Sequence, residues 1–163
     1  MANAEAKDRK ILVAVDEGEE SMYALSWALT NIISKNSKVI LLYAKPSRVI
    51  YPTVEGTGYL FSSNIIATMD KYGNDVADCV MEKAKKLCKE FEHVKVEAKV
   101  EMGDPRDAIC DSVEKIEPNI LVMGTHGYGI IKRTFLGSVS NHCAQRVKCP
   151  VLIVKRPKPA TEK

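Results

Sequence analysis

The chain has 163 residues, of which 45% are hydrophobic and 28% are charged, and its formal net charge is +3. This length and composition are typical of one globular domain with a packed core, and they exclude a disordered or fibrous chain. The 24 Lys and Arg residues are interspersed with 21 Asp and Glu residues, which excludes the basic stripe of a nucleic-acid-binding surface. We therefore expect a single domain over residues 10–156, with flexible termini at 1–9 and 157–163.

The hydropathy of the chain predicts the cellular compartment of the protein. Residues 1–10 are polar and charged and lack the apolar run of a secretory signal. No later segment has the roughly 20 apolar residues that cross a bilayer. We expect a cytoplasmic protein, with access to the nucleus left open, and neither a nucleic-acid nor a membrane partner.

The five cysteines do not form a pattern that indicates a covalent or metal framework. Their number is odd and no C-x-x-C pair occurs, which argues against disulfides and against a zinc site. We interpret all five as buried or half-buried thiols, with redox sensing by an exposed one as the alternative. They are Cys79, Cys88, Cys110, Cys143 and Cys149.

The first half of the chain predicts two buried strands and the helix between them. The apolar runs at residues 11–15 and 39–44 are typical of parallel strands that are covered on both faces. Between them, apolar residues from Leu25 to Ile33 recur at helical spacing and predict the first helix.

A long loop and a second helix are predicted next. From Lys45 to about Gly73 the sequence has no periodicity and contains Pro, Gly, Ser and aromatic residues, so we interpret it as a loop of the length that lids often have. Apolar residues at steps of three or four between Val76 and Phe91 predict the second helix.

The second half predicts three more strands and two more helices. Residues 94–100 alternate apolar and charged side chains, which indicates a strand exposed on one face at a sheet edge. Asp104 suits a helix N-cap and Pro105 the first helical position. The remaining elements are a strand at residues 120–123, a helix at about 138–147 and a last strand at 151–154.

This order of elements predicts an α/β fold. Strands and helices alternate throughout, which favours a five-stranded, mostly parallel sheet of order 3-2-1-4-5 with helices on both faces, a flavodoxin-like or Rossmann-like three-layer sandwich. Ligands of such sheets bind outside the carboxyl ends of the strands where the strand order reverses, here between strands one and four. Asp16 and the loop that begins at Gly124 would then face each other across one site.

The loop after strand four has the composition of a phosphate-binding segment. It begins Gly124-Thr125-His126-Gly127-Tyr128-Gly129 and ends Gly137-Ser138-Val139-Ser140 at the start of a helix. Glycines let backbone N–H groups approach phosphate oxygens, and a helix N-terminus adds free N–H groups and partial positive charge. Ser138 and Ser140 could donate hydroxyl protons, and Lys132 and Arg133 could offset phosphate charge. A purely structural glycine turn is the alternative.

These residues carry a resemblance to a known family. The spacing Gly124-x2-Gly127-x9-Gly137-Ser138, together with Asp16 after Ile-Leu-Val-Ala-Val and the ending Pro-Val-Leu-Ile-Val-Lys, closely resembles the ATP-binding branch of the universal stress protein family, above all its single-domain plant members. The likeness runs from about Lys10 to Arg156. It implies a five-stranded flavodoxin-like sandwich that binds ATP and often dimerises through its last strand, here Val151, Leu152, Ile153 and Val154.

The resemblance also implies roles for particular residues. The phosphates would be held by Gly124, Gly127, Gly137, Ser138 and Val139 with the help of Ser140, and Asp16 would meet the ribose or a Mg²⁺ or Mn²⁺ ion bound with the nucleotide. Ala14 and Val15 would flank the nucleotide, the backbone of Ala44 would meet the adenine, and Met123 completes the nucleotide-binding set. The family often has proline two residues before the aspartate, where this chain has Ala14.

Several aromatic and histidine side chains have a second interpretation. His126 lies inside the glycine loop and either orders the loop or acts near a phosphate. Tyr43, Tyr51, Tyr59 and Phe61 either stack on or close over a base, or pack the long loop onto the body of the domain.

The sequence leaves three functions open. The first is an ATP-binding regulatory module in stress response, with ATP, AMP or a cyclic nucleotide as the ligand. The second is a slow ATP hydrolase that uses Asp16 as a metal ligand with Lys132 and His126 near the phosphates; the P-loop spacing and the kinase signatures are absent, so any hydrolysis should be slow. The third is a dimeric interaction or chaperone-like module with a vestigial site.

Overall fold

The computed structural model describes residues 8–47, 63–125 and 137–157 of the chain. Within these ranges five strands alternate with four helices, as the sequence predicts. The elements are β1 Arg9–Ala14, α1 Glu19–Asn31, β2 Ser37–Lys45, α2 Ser63–Cys88, β3 Lys95–Met102, α3 Pro105–Ile116, β4 Ile120–Gly124, α4 Ser138–Arg146 and β5 Val151–Val154.

The strands form one parallel sheet in the order β3-β2-β1-β4-β5, which confirms the predicted strand order. β1 lies at the centre, where Ile11 pairs with Val39 of β2 on one side and with Ile120 of β4 on the other. The chain therefore leaves β1 towards β2 and β3, and later returns to β4 and β5 on the opposite side. This reversal creates a crevice at the carboxyl ends of β1 and β4.

The core consists of two hydrophobic layers that lie on opposite faces of the sheet. Ile11, Leu12 and Val13 of β1 are fully buried because both faces of the central strand are covered. Residues of β1 and β2 pack with those of α1 and α2 in one layer, and with those of α3 and α4 in the other.

The start of α3 confirms the predicted cap. The Asp104 carboxylate accepts the backbone N–H of Arg106 at 2.9 Å, and Pro105 occupies the first helical position. Hydrogen bonds from the Arg106 side chain and backbone hold the pKa of Asp104 below its usual value. This cap places the first turn of α3 above the carboxyl ends of the strands.

The prediction of a loop up to Gly73 is wrong, because α2 already includes Ser63 and continues through Gly73. The first half of this helix has little contact with the core, and Ile65, Met69 and Tyr72 are exposed. Since helical periodicity in a sequence arises from a buried face, a solvated helix leaves little periodic signal. The helix also ends at Cys88, before the predicted Phe91.

The prediction that every cysteine is buried or half-buried is wrong for Cys79, which is exposed. Cys88, nine positions later on α2, is buried on the opposite side of the helix. Cys143 is also buried, and this burial together with the neighbouring Cys110 thiol raises the pKa of Cys143 to about 12. Cys110 and Cys149 are half-buried, as predicted.

Gly73 lies inside α2, and its replacement tests how this helix is held. We expect Gly73→Ala to stabilise the protein by about 0.5–1 kcal/mol, because alanine loses less backbone entropy than glycine in a helix. The added Cβ would lie 3.0 Å from Cε of the long Lys45 side chain, which must give by a few tenths of an ångström while its Nζ keeps the 2.6 Å hydrogen bond to Asn74. Urea denaturation measures the change, and a clear loss of stability would contradict a helix at this position.

Within the described ranges, none of the helices combines the length and the hydrophobicity needed to cross a membrane.

Candidate functional site

A cavity of about 400 Å³ opens at the carboxyl ends of β1, β2 and β4, at the crevice where the strand order reverses. The turn after β1, the first turn of α3 and the N-terminus of α4 complete its walls. It is lined by Ala14, Val15, Asp16, Glu17, Ser21, Leu42, Tyr43, Ala44, Pro46, Pro105, Ile109, Met123, Gly124, Thr125, Gly137, Val139 and Ser140.

The turn after β1 is held by the Asp16 side chain. Its Oδ1 atom accepts the backbone N–H of Gly18 and the hydroxyl of Ser21, both at 2.8 Å. The Ser21 hydroxyl oxygen in turn accepts the backbone N–H of Asp16 at 2.9 Å. Because Ser21 lies in the first turn of α1, these bonds join the end of β1 to α1 and keep the carboxylate at the rim of the cavity.

The opposite wall is the N-terminus of α4, where hydrogen bonds hold the two ends of the glycine-rich loop together. The Thr125 carbonyl accepts the backbone N–H of Gly137 and, at 3.3 Å, the hydroxyl of Ser140. That hydroxyl also approaches the Gly137 carbonyl at 3.0 Å. The Ser140 hydroxyl therefore donates to backbone carbonyls and holds the two ends of the loop together, instead of donating a hydrogen bond into the cavity.

Tyr43 and Glu17 form a hydrogen-bonded pair in the cavity wall. The buried Tyr43 phenol donates to Glu17 Oε1 at 2.7 Å. Burial, the hydrogen bond to Glu17 and the negative charges of Glu17 and Asp16 raise the pKa of Tyr43 above its usual value. The ring packs among the core residues beneath α1 and α2, and Tyr43 also lines the cavity.

The raised pKa of Tyr43 predicts how stability depends on pH. In the unfolded chain a tyrosine ionises near pH 10, whereas the folded phenol keeps its proton to higher pH. The unfolded state then binds fewer protons above about pH 10, so the free energy of unfolding falls as the pH rises. We expect Tyr43→Phe to flatten this fall in urea titrations at about pH 9 to 11, and to cost about 0.5–1.5 kcal/mol at neutral pH.

Tyr72→Phe is the matched control, because Tyr72 is 71% exposed. This variant should follow the parent protein at every pH. An equal alkaline loss of stability in the Tyr43→Phe and parent proteins would contradict the assignment.

Gly124, at the end of β4, lies close to the backbone of α1. A Cβ atom at this position would lie 2.9 Å from both the carbonyl carbon and the carbonyl oxygen of Glu20. Contacts of this length do not occur for real Cβ atoms, so only glycine fits between β4 and α1. Packing against α1 is therefore a reason for this glycine that is independent of a phosphate.

The structure brings most of the predicted site residues around one cavity. Nine of them line it: Ala14, Val15, Asp16, Ala44, Met123, Gly124, Gly137, Val139 and Ser140. Ser138 is exposed at the first position of α4 and is absent from the described lining. The predicted Gly127, Lys132, Arg133 and His126 lie outside the described residues, as do Tyr51, Tyr59 and Phe61.

Sequence reasoning missed several residues of the lining. Ile109 lies on the buried face of α3 and Pro105 at the start of this helix, yet both reach the cavity. Glu17 and Ser21 closely follow Asp16 in the sequence, and this closeness to a predicted site residue is the only sequence feature that indicates them. Thr125 stands within the predicted glycine-rich loop, whereas no local pattern indicates Leu42 or Pro46, which reach the cavity through the pairing of β2 and the segment that follows it.

The donor set around Asp16 bears on the predicted metal ion. In the part of the chain that the structure describes, no three His, Cys, Asp or Glu side chains gather in a metal-binding group. Asp16 Oδ1 already accepts two hydrogen bonds. A Mg²⁺ or Mn²⁺ ion here would need nucleotide phosphate oxygens and water for most of its ligands, which is how Mg²⁺ commonly binds with nucleotides.

Comparison with known proteins agrees with this fold. Residues 8–155 match the model of the universal stress protein family. The chain is 28% identical to the universal stress protein A-like protein of Arabidopsis thaliana, over 90% of each chain. It is 30% identical to universal stress protein PHOS32 of the same plant, where the match covers 91% of this chain and 65% of that longer protein.

A solved structure of an Arabidopsis thaliana universal stress protein family protein, At3g01520 with AMP bound, has the same fold. It superposes with a TM-score of 0.67 at 26% identity, over 94% of this chain and 97% of that one. The family match spans both walls of the cavity, from the Asp16 turn to the N-terminus of α4. The chain therefore belongs to the universal stress protein family.

Proposed function

We propose that the cavity binds an adenine nucleotide, ATP or AMP, and that the chain acts in the cytoplasm as a nucleotide-dependent regulatory module in stress response. The observation that carries the proposal is the position of the cavity. The cavity lies between the Asp16 turn after β1 and the N-terminus of α4, at the point where the strand order reverses. Ligands of open α/β sheets bind at this point. The AMP bound to the similar Arabidopsis protein supports the choice of an adenine nucleotide.

The size and lining of the cavity suit a nucleoside. Its volume of about 400 Å³ lies within the range of about 300–1,000 Å³ that small-molecule sites have. Val15 and Met123 of the cavity lining offer apolar surface to a base, and the backbone of Ala44, which also lines the cavity, is proposed to meet the base edge. Asp16 is the carboxylate that would accept a hydrogen bond from a ribose hydroxyl.

The phosphate end of the proposed site is the first turn of α4. A helix N-terminus has backbone N–H groups without an intrahelical acceptor and carries partial positive charge. The N–H of Gly137 is used by Thr125, so the proposed donors are the N–H groups of Ser138, Val139 and Ser140. Gly127, Lys132 and Arg133 are proposed to add further phosphate contacts to these N–H groups and to reach the outer phosphates.

Equilibrium titration tests the proposal. Calorimetric titrations with AMP, with ATP, and with ATP plus Mg²⁺ or Mn²⁺ should each give saturable binding of one nucleotide per chain. Adenosine should bind more weakly because it lacks the phosphate that α4 would hold. If neither AMP nor ATP saturates the protein at millimolar concentration, the proposal fails.

We also propose that the protein dimerises through β5. This strand is apolar, lies at the edge of the sheet, and leaves Val151, Leu152 and Ile153 only half-buried. Pairing with a second β5 would cover them. Sedimentation velocity at micromolar concentration should show a dimer, and Ile153→Pro should dissociate it because proline has no N–H to donate across an edge. A parent protein that sediments as a monomer would contradict this interface.

A further inference from the structure

The other edge of the sheet is β3, and one face of this edge strand has exposed apolar side chains. In the described part of the sheet, β3 pairs with β2 and has no second neighbour. Val96, Val100 and Met102 are 37%, 47% and 67% exposed, and Ala98 between them is also exposed. These four residues alternate along the strand and therefore share one face.

The backbone of β3 is oriented so that these same residues face the open edge. Gly103 donates its N–H to the Lys45 carbonyl of β2 at 2.9 Å. Successive backbone N–H groups of an extended strand point to opposite edges, so the odd-numbered residues bond to β2. The N–H and C=O groups of Val96, Ala98 and Val100 then point away from the sheet, where another strand could pair with them.

The charges of β3 are self-complementary. Lys95, Glu97, Lys99 and Glu101 occupy the face opposite to the apolar one. If a second β3 lies antiparallel, with a two-fold axis through Ala98, Lys95 of one copy is opposite Glu101 of the other, and Glu97 is opposite Lys99. Every charged residue then meets the opposite charge, and on the other face Val96 meets Val100. Cross-strand pairs of both kinds stabilise antiparallel strands.

The same pattern selects one register. A slip by two residues places Glu97 opposite Glu97 and Lys95 opposite Lys99, or Lys99 opposite Lys99 and Glu97 opposite Glu101. Like charges directly opposite each other are destabilising, so the pairing centred on Ala98 is favoured over its neighbours.

The ion pairs within one chain are compatible with this arrangement. Glu97 contacts Lys38 at 2.6 Å and Lys99 at 3.7 Å, yet these side chains keep 37–39% of their surface exposed. Lys95 contacts Asp8 at 2.6 Å and is 67% exposed. A second copy would therefore extend an existing charge network without having to break it.

We propose that β3 is a second self-association edge, at which a second copy of this chain adds antiparallel with its two-fold axis at Ala98. An eight-residue strand buries less area than the roughly 1,200–2,000 Å² of a stable interface, so the association is weak and depends on concentration. Together with the β5 edge, it would let chains join side by side into longer assemblies. The alternative is that the charges solvate the edge and keep it free of partners.

Cysteine trapping tests the register directly. In a hydrogen-bonded antiparallel pair the two Cα atoms are about 5.5 Å apart, within the range that a disulfide spans. Ala98→Cys, made in the full chain with the exposed thiol removed by Cys79→Ser, should form a covalent dimer when oxidised glutathione is added. In that exchange the two protein thiols are oxidised and one glutathione disulfide is reduced to two thiols.

Met102→Cys in the same background is the matched control. Met102 lies on the same face of β3 and is 67% exposed, but in the proposed register its two copies are eight residues apart, about 27 Å. Crosslinking of Ala98→Cys should be at least about tenfold faster. Equal rates for the two variants, or no dimer of Ala98→Cys at millimolar protein, would overturn the proposal.

A charge swap tests the cause of the pairing. Glu101→Lys places Lys95 opposite a lysine at two symmetry-related places, and should slow the Ala98→Cys crosslinking roughly tenfold. Adding Lys95→Glu restores opposite charges and should restore the rate, whereas failure of this rescue would overturn the proposed register. The experiment is run in the Ile153→Pro background, so that β5 pairing cannot contribute, and nucleotide binding is measured separately.

Discussion

Replacing Gly124 by alanine is expected to destabilise the fold by about 1–3 kcal/mol even without any nucleotide, because the added methyl group overpacks a tight contact. The new Cβ would lie 2.9 Å from the backbone carbonyl of Glu20, a fixed part of α1. Relief of this contact requires α1 to move away from β4, and the core beneath α1 is closely packed. Urea denaturation of the nucleotide-free protein measures the loss.

Gly73→Ala is the matched control, since the same methyl group there meets only a flexible lysine side chain. The two variants should change stability with opposite signs. If Gly124→Ala keeps the parent stability and loses only nucleotide binding, close approach to a phosphate, and not packing against α1, would be the reason for the glycine.

The second large effect is expected for Val139→Trp, which should weaken AMP binding by about 100-fold or more. Val139 is half-buried in the first turn of α4 and lines the cavity. An indole side chain there would extend into the cavity of about 400 Å³ and would compete with the nucleotide. Isothermal titration with AMP measures the affinity, at a temperature where the variant is folded.

Ala144→Trp is the control for this variant. Ala144 is on the same helix but is exposed, and it is absent from the described cavity lining. Its affinity for AMP should stay within about twofold of the parent. Equal affinity of both variants would place the nucleotide elsewhere on the protein.

Much of the fold follows from local sequence patterns, since each has a direct physical cause. Residues 11–13 are continuously apolar because the central strand is covered on both faces, and they are fully buried. Residues 95–102 alternate apolar and charged side chains, and β3 is an edge strand as this pattern predicts, although its apolar face is the more exposed one. Asp104 and Pro105 begin α3 through a local cap. The first half of α2 has no such signal, because Ile65, Met69 and Tyr72 on this part of the helix are exposed to solvent.

The site could be predicted only in outline. Asp16 and Gly124 were placed at one crevice because strand order brings together the ends of β1 and β4, and both do line the cavity. The hydrogen-bond acceptor of the Ser140 hydroxyl could not be predicted, since it depends on how the start of α4 packs against the Thr125 carbonyl at the other end of the loop. The Tyr43 hydrogen bond to Glu17 also joins residues from two strand ends.

The sequence by itself determined the strands, the strand order and the two segments that meet at the crevice, because these depend on burial patterns within a few residues and on general rules of chain connection. Only the tertiary structure decided why Gly124 must be glycine, which α3 residues close the cavity and that α2 already includes Ser63. These features depend on contacts between segments that are distant along the chain. Gly124 packs against the backbone of Glu20, and a Cβ atom at position 124 would lie only 2.9 Å from the Glu20 carbonyl. No local sequence pattern near either residue indicates this contact.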